Sequence, residues 1–176
     1  MRHLLHFSED PNIAVFRPHV AATATVKDAV VWVVDEEHAP GFWFPRDCPR
    51  ACCWSIGKPL TEIGRSLLRM GAISRMHAIE SGWLERMRAC KLFVYRFDPA
   101  PFLTHEVPEA GYFTTRETVV PLSVKPVGDL LKLHADANIE LRIVPDFWPV
   151  RDAIVASGLE FSIIRQRNAR PRAASS

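Results

Sequence analysis

The chain has 176 residues, of which 48% are apolar and 24% charged, with a formal net charge of +2. This size and balance fit one globular domain, or at most two very small ones, that needs no disulfide or metal to stabilise its core. They exclude a membrane span, since the longest uncharged strand-like run, residues 29–34, is far shorter than the roughly 18 residues that a span requires.

The distribution of charge and the spacing of the cysteines narrow the class of protein further. Arginines number 17 and lysines 5, and four of the arginines lie in the last twelve residues, which contain no acid. The rest of the chain has a net charge of −2, so any attraction to nucleic acid is expected in the tail. Four cysteines without regular spacing are typical of reduced thiols. We therefore expect a soluble, cytoplasmic protein.

Hydrophobic patterning predicts short strands with helices between them. Strands are predicted over 2–7, 29–34, 51–56, 75–79, 91–97, 112–115, 119–124 and 139–144. Helices are predicted over 59–70, 81–88, 127–137 and 147–156, with a further short one over 38–44. Seven or eight strands with three or four irregularly interleaved helices predict an α+β domain with a curved, mostly antiparallel sheet. The predicted globular domain covers 1–164, and 165–176 is predicted to be a basic, disordered tail.

A histidine and a serine end the first predicted strand. His6 and Ser8 are two residues apart, so they lie on the same face of the strand and near the rim of the sheet, where ligands often bind. The alternative is that His6 is a partly buried core residue whose ring is satisfied by a neighbour.

Aromatic and basic residues are combined in a loop stiffened by prolines. Trp43 lies within an aromatic run, and Arg46 and Arg50 follow it. An aromatic ring can stack on a ligand ring, and guanidinium groups can hold a phosphate in a bidentate manner. The alternative is a core helix followed by a rigid loop, with the arginines paired to Asp47 or Asp35.

A carboxylate lies between two predicted strands near the end of the domain. Glu117, five residues after Tyr112, is placed to stabilise or orient a developing cationic sugar. The alternative is a solvated glutamate paired with Arg116. No metal is expected, because Cys48, Cys52 and Cys53 lack the usual ligand spacing.

Two family resemblances follow from these motifs. The chain resembles an uncharacterised bacterial domain-of-unknown-function family of similar size, for which no activity is implied. The matching segments are HFSEDP at 6–11, DEEHAP at 35–40, FPRDCPR at 44–50, HAIE at 77–80, GWLER at 82–86 and EFS at 160–162, with 165–168.

The segment LHFS at 5–8, followed by Asn12, is also similar to the opening of ADP-ribosyltransferase-like domains. That resemblance implies an NAD site in which His6 and Ser8 hold the ribose and amide. It implies that Glu117 directs transfer. It also implies a stacking ring, which is open between Tyr112 and Trp43, because the family's central aromatic motif is not recognisable in this sequence.

The expected function is therefore an NAD- or nucleotide-binding, ADP-ribosyltransferase-like enzyme, and whether it has a nucleic acid or protein acceptor is left open. One alternative is a non-catalytic nucleotide-binding or stress-associated protein. The other is a nucleotide phosphotransferase or hydrolase in which Arg46 and Arg50 clamp the phosphate. No membrane partner is expected, and the oligomeric state is left open.

Overall fold

Two separate segments of the chain build each of two compact units. Unit 1 comprises Met1–Trp43 and Lys91–Gly128, and unit 2 comprises Phe44–Cys90 and Asp129–Ser176. The structure is a computed structural model that describes residues 3–20, 28–55, 57, 59–69, 72–105 and 111–172. The predicted single domain over 1–164 stays a prediction. The outer ends of three predicted elements, Arg2, Ile56 and Met70, lie outside the described residues.

Ten strands and four α-helices are present in the described part of the chain. The strands are β1 (Leu4–Ser8), β2 (Val31–Val34), β3 (Arg50–Trp54), β4 (Arg75–Glu80), β5 (Phe93–Phe97), β6 (Leu103–Thr104), β7 (Tyr112–Thr115), β8 (Ser123–Pro126), β9 (Glu140–Val144) and β10 (Glu160–Ile164). The helices are α1 (Glu62–Leu67), α2 (Leu84–Ala89), α3 (Leu130–Asp136) and α4 (Phe147–Ala156), with 3₁₀ turns at Ala39–Phe42, Ser81–Trp83 and Gln166–Asn168.

Unit 1 is built on a six-stranded sheet in the order β6-β7-β2-β1-β5-β8, in which all neighbours are antiparallel. Side chains alternate between the two faces of each strand. Leu4, Val31, Val33, Tyr95 and Phe97 therefore share one face, where Phe16 and Phe102 bury them.

Unit 2 is built on a four-stranded sheet in the order β10-β3-β4-β9, with β4 and β9 parallel. One face packs against helices α1 and α4 through Leu67, Leu68, Phe147 and Ile154. Helix α4 begins after Asp146, whose side chain accepts the backbone N–H of Trp148 at 3.0 Å. Such a cap satisfies one of the free N–H groups at the helix start.

The α+β class with mostly antiparallel strands is confirmed, and the strands are divided between two sheets. Strand β10 was not predicted, although it completes the second sheet beside β3. The strand predicted over 119–124 begins four residues later, because Val119 forms only an isolated bridge with Phe16. The ADP-ribosyltransferase-like fold stays a prediction.

The disordered tail predicted over 165–176 stays a prediction. The structure describes residues 165–172, and polar groups of unit 2 contact the backbone of this segment. Glu80 accepts the backbone N–H of Arg170 at 3.2 Å, and the carbonyl of Arg170 accepts the indole N–H of Trp148 at 2.7 Å. Residues 173–176 lie outside the described part.

None of the helices in the described ranges is both long and apolar enough to cross a membrane.

Candidate functional site

A cavity of about 470 Å³ lies in unit 1 beside β2, β6 and β7. Trp32 on β2 pairs with Thr114 on β7, which in turn pairs with Leu103 on β6. Directly paired residues project from the same face of a sheet. These three side chains therefore line one face, opposite the buried core, and we call the space above them the β7 cavity.

The side chains of Trp32 and His105 both line the β7 cavity. The rings of Trp32 and His105 pack with centroids 4.7 Å apart. The Nδ1 atom of His105 is buried and has no hydrogen-bond partner among the described residues. A buried polar atom without a partner is costly, and the residue that carries this one lines the cavity.

Glu117 lines the same cavity, just beyond the end of β7. Its backbone N–H donates to Thr115 Oγ1 at 3.1 Å, and its side chain is exposed. The alternative interpretation paired Glu117 with Arg116, but Arg116 donates to Asp28 at 2.6 Å. The structure therefore places the Glu117 carboxylate at the wall of the cavity, beside an ion pair between two other groups.

His6 and Ser8 lie on the opposite face of β1 from this cavity. Leu5 pairs with Val34, and Val34 lies on the same face of the sheet as Trp32. Because successive side chains of a strand alternate between the two faces, His6 and Ser8 project from the opposite face, toward the core. The His6 ring packs edge-on against Phe16 at 4.9 Å, and its Nδ1 donates to the carbonyl of Trp32 at 3.0 Å. Neither His6 nor Ser8 lines the cavity that holds Glu117.

Ser8 has a local structural contact. It is 7% exposed, and its hydroxyl oxygen accepts the backbone N–H of Asp10 at 3.1 Å. This bond closes the turn after β1, which explains a serine at this position without a ligand.

The two candidate stacking rings also lie outside the β7 cavity. Tyr112 packs edge-on against Trp32 and Phe42, with centroids 5.8 and 6.0 Å away. It lines a second cavity of about 90 Å³ together with His6 and Trp32. Trp43 is half-buried, and its backbone N–H donates to the carbonyl of Pro40 after the 3₁₀ turn. The ring that the structure places in the β7 cavity is instead Trp32.

The two candidate phosphate-binding arginines belong to unit 2 and differ in exposure. Arg46 is exposed, whereas Arg50 is only 5% exposed. Arg50 donates to the carbonyl of Cys48 at 3.2 Å, and its guanidinium carbon lies 5.3 Å from the centre of the Phe44 ring. Burial under these contacts gives Arg50 a structural role at the start of β3.

A buried histidine pair in unit 2 was missed by sequence reasoning. His77 on β4 and His134 on α3 contact each other through Nδ1 and Nε2 at 3.0 Å. The Nδ1 of His134 must donate to the carbonyl of Leu130, 2.7 Å away, so its Nε2 accepts the proton of His77 Nδ1. The remaining His77 Nε2 is buried and has no partner in the described ranges. The only sequence signal was a histidine within each of two apolar elements.

Burial shifts the pKa of this pair and of nearby thiols. Loss of hydration lowers the pKa of His77 well below its usual value, and His134, Arg75 and Arg50 lower it further. Burial also lowers the pKa of His134. Burial raises the pKa values of Cys48, Cys52 and Cys53 to about 12. Within the described residues, no group of three or more His, Cys, Asp or Glu side chains is arranged to hold a metal ion.

Comparison with known proteins gives one match. A model described as a family of unknown function, DUF6886, matches residues 5–169, so the chain belongs to that family. Neither the curated proteins nor the solved structures that were compared contain a match to this chain.

Proposed function

We propose that this member of DUF6886 binds a nucleoside or nucleotide, NAD among them, in the β7 cavity. The observation that supports the proposal is the combination of Trp32, His105 and Glu117 around one cavity. Its volume of about 470 Å³ is within the range of small-molecule sites. A cytoplasmic setting, where nucleotides are available and thiols stay reduced, suits this function.

Each part of the cavity matches one part of a nucleoside. An exposed face of Trp32 can stack on a base, which contributes about 1–3 kcal/mol per base in other proteins. The hydroxyl groups of Thr104 and Thr114 line the wall and can bond ribose hydroxyls. The Glu117 carboxylate accepts hydrogen bonds only, so it favours a ligand with hydroxyl donors.

A second candidate, ADP-ribosyl transfer, is favoured by the exposure of Glu117. When nicotinamide leaves, the C–N glycosidic bond breaks with both electrons and the sugar develops positive charge. A carboxylate at the cavity wall stabilises that charge or orients the acceptor nucleophile. His6 and Ser8 have no part in this version, because they bond to backbone groups on the opposite face of β1. A phosphate clamp in a phosphotransferase would depend on Arg46, since Arg50 is buried.

Calorimetric titration of the full chain with adenosine, AMP and NAD tests the binding proposal. Trp32→Leu is expected to raise the Kd about tenfold or more, because it removes the stacking ring. Trp43→Leu is the matched control, since Trp43 is also half-buried in unit 1 but lies outside the cavity. Absence of binding by the wild type, or equal weakening by the two variants, would contradict the proposal.

Release of nicotinamide from NAD distinguishes a transferase from a non-catalytic binding protein. We expect Glu117→Gln to lower the release rate about 100-fold while changing the Kd for NAD about twofold or less. Wild-type binding without release would reject the transfer step and leave the binding proposal intact.

A further inference from the structure

Charge is divided unequally between the two units. Unit 2 contains 15 basic and 10 acidic residues, a net charge of +5, whereas unit 1 has a net charge of −3. The whole chain is nearly neutral because the negative charge of unit 1 offsets most of the positive charge of unit 2. A basic unit attracts anionic partners wherever its cations are exposed and lack acidic neighbours.

Arginines and tryptophans adjoin on the surface of unit 2 around the C-terminal segment. We call this the arginine–tryptophan surface; its residues are Trp83, Arg86, Trp148, Arg170 and Arg172, together with the exposed Arg167, which precedes Arg170 by three residues in the same segment. The guanidinium carbons of Arg86 and Arg172 lie 4.9 and 4.7 Å from the ring centres of Trp83 and Trp148. Both rings are half-exposed.

Arg170 connects the two tryptophans. Its carbonyl accepts the indole N–H of Trp148 at 2.7 Å, and its Nη2 lies 3.8 Å from the position that a Cβ on Gly82 would occupy. Gly82 directly precedes Trp83 in the same 3₁₀ turn. The surface is therefore continuous from Trp83 through Arg170 to Trp148.

The segment is fixed by groups other than its exposed guanidinium ions. The backbone N–H of Arg170 donates to Glu80, and Asn168 Nδ2 donates to the carbonyl of Asp47 at 2.8 Å. Arg167 and Arg170 form no ion pair with a described acid, whereas Arg172 is paired with Asp152. At least two cations on the surface thus keep their charge available for a partner.

Guanidinium groups beside half-exposed indole rings match one class of polymer. Arginine binds phosphate oxygens through two parallel hydrogen bonds, and aromatic faces stack on unpaired bases. We propose that the arginine–tryptophan surface binds single-stranded nucleic acid, with Arg167 and Arg170 on phosphates and Trp83 against a base. Bases in a duplex are already stacked on one another, so the rings favour a single strand. This proposal concerns unit 2 and does not depend on the β7 cavity.

Fluorescence anisotropy with a labelled oligothymidylate of about 15 nucleotides tests the proposal on the full chain. Arg167→Ala/Arg170→Ala is expected to raise the Kd about tenfold at low salt. It should also reduce the slope of log Kd against log salt by about 1.4, because each lost phosphate contact on a single strand contributes about 0.7. Arg17→Ala/Arg96→Ala is the control, since it removes two exposed positive charges from unit 1. It should change the Kd by about twofold or less.

Stacking is tested separately by Trp83→Leu, which leaves the charge unchanged. We expect a Kd about fivefold higher with the same salt slope. The proposal is overturned by absence of binding, by equal effects of the two double variants, or by tighter binding to a duplex of the same length. Binding of phosphatidylserine vesicles without binding of the oligonucleotide would also overturn it. Circular dichroism of each variant checks that the fold is unchanged.

Discussion

In the buried pair of His77 and His134, the one nitrogen that is free to accept a proton, His77 Nε2, has no hydrogen-bond partner among the described residues. In the neutral pair each Nδ1 donates, and the free lone pair is at His77 Nε2. A proton at that nitrogen would create a fully buried cation, and the Arg75 and Arg50 charges oppose it. No acid contributes to the pKa shift of either histidine, and the contribution that opposes burial is the hydrogen bond to the Leu130 carbonyl, which raises the pKa of His134.

Acid should therefore destabilise unit 2 through these histidines. Above about pH 6.5 they are neutral in the folded and unfolded states, so they add no pH dependence. Below that pH the unfolded chain binds protons that the folded chain excludes. The free energy of unfolding then falls by up to about 1.4 kcal/mol per pH unit for each histidine, until the lowered folded pKa is reached. Urea denaturation at a series of pH values measures this slope.

Variants distinguish the contribution of the histidine pair to this pH dependence from the contribution of the carboxylates, which also titrate. His77→Leu/His134→Leu should flatten the dependence between about pH 6.5 and 5, because replacing both partners with apolar groups removes the titration. His134→Leu alone should lower the free energy of unfolding at neutral pH by about 1–3 kcal/mol, since His77 Nδ1 loses its acceptor. The exposed His19→Ala is the control. An unchanged slope in the double variant would refute this explanation.

At the scale of elements, the segment 165–172 is held to the rest of unit 2 by hydrogen bonds of its own backbone. The Glu80 carboxylate is 2% exposed, and its described donor is the backbone N–H of Arg170. A buried carboxylate needs such donors, because dehydration of an ion is costly. The segment 165–172 therefore supplies a hydrogen-bond donor to Glu80, the acid that unit 2 buries at the end of β4.

Arg170→Pro tests this role, since it removes the N–H group that Glu80 accepts. Residue 170 already precedes Pro171, which restricts it to extended backbone that proline can adopt. We expect a loss of about 1–3 kcal/mol in the free energy of unfolding, measured with urea. Arg170→Ala keeps the N–H and should change it by about 0.5 kcal/mol or less. Equal stability of the two variants would show that the bond to Glu80 is unimportant.

At the scale of the whole molecule, the four cysteines all belong to unit 2 and none to unit 1. Cys48, Cys52 and Cys53 are buried with pKa values of about 12, and Cys90 is half-buried. The thiolate is the reactive form, so these three thiols are protected both by burial and by protonation. Chemical labelling of these thiols therefore reports the opening of unit 2 and not that of unit 1.

Labelling with a disulfide reagent near pH 8 should therefore modify no more than one thiol in the native protein. The other three should react only when urea unfolds unit 2, in step with the loss of its circular dichroism signal. Cys90→Ser should abolish native labelling and leave three thiols in urea. Rapid native labelling of two or more thiols would contradict the burial of Cys48, Cys52 and Cys53.

Local patterns predicted many elements accurately but missed the ring of the candidate site. Helix α4 and strand β7 have the predicted bounds, because a cap and a clear period mark their ends. Glu117 was selected from sequence and lies in the β7 cavity. Trp32 was not, because the run 29–34 is apolar throughout and does not indicate which face of the strand is open.

The sequence alone determined the class of fold, the main elements, the family motifs and the concentration of arginine near the C-terminus. These properties depend on composition and on patterns within a few residues. The tertiary structure decided that His6 and Ser8 face away from Glu117, that Trp32 and His105 line the same cavity as Glu117, and that Arg170 near the C-terminus bonds to Glu80 and Trp148. Strand pairing and the choice of face depend on contacts between distant residues, which local patterns do not specify.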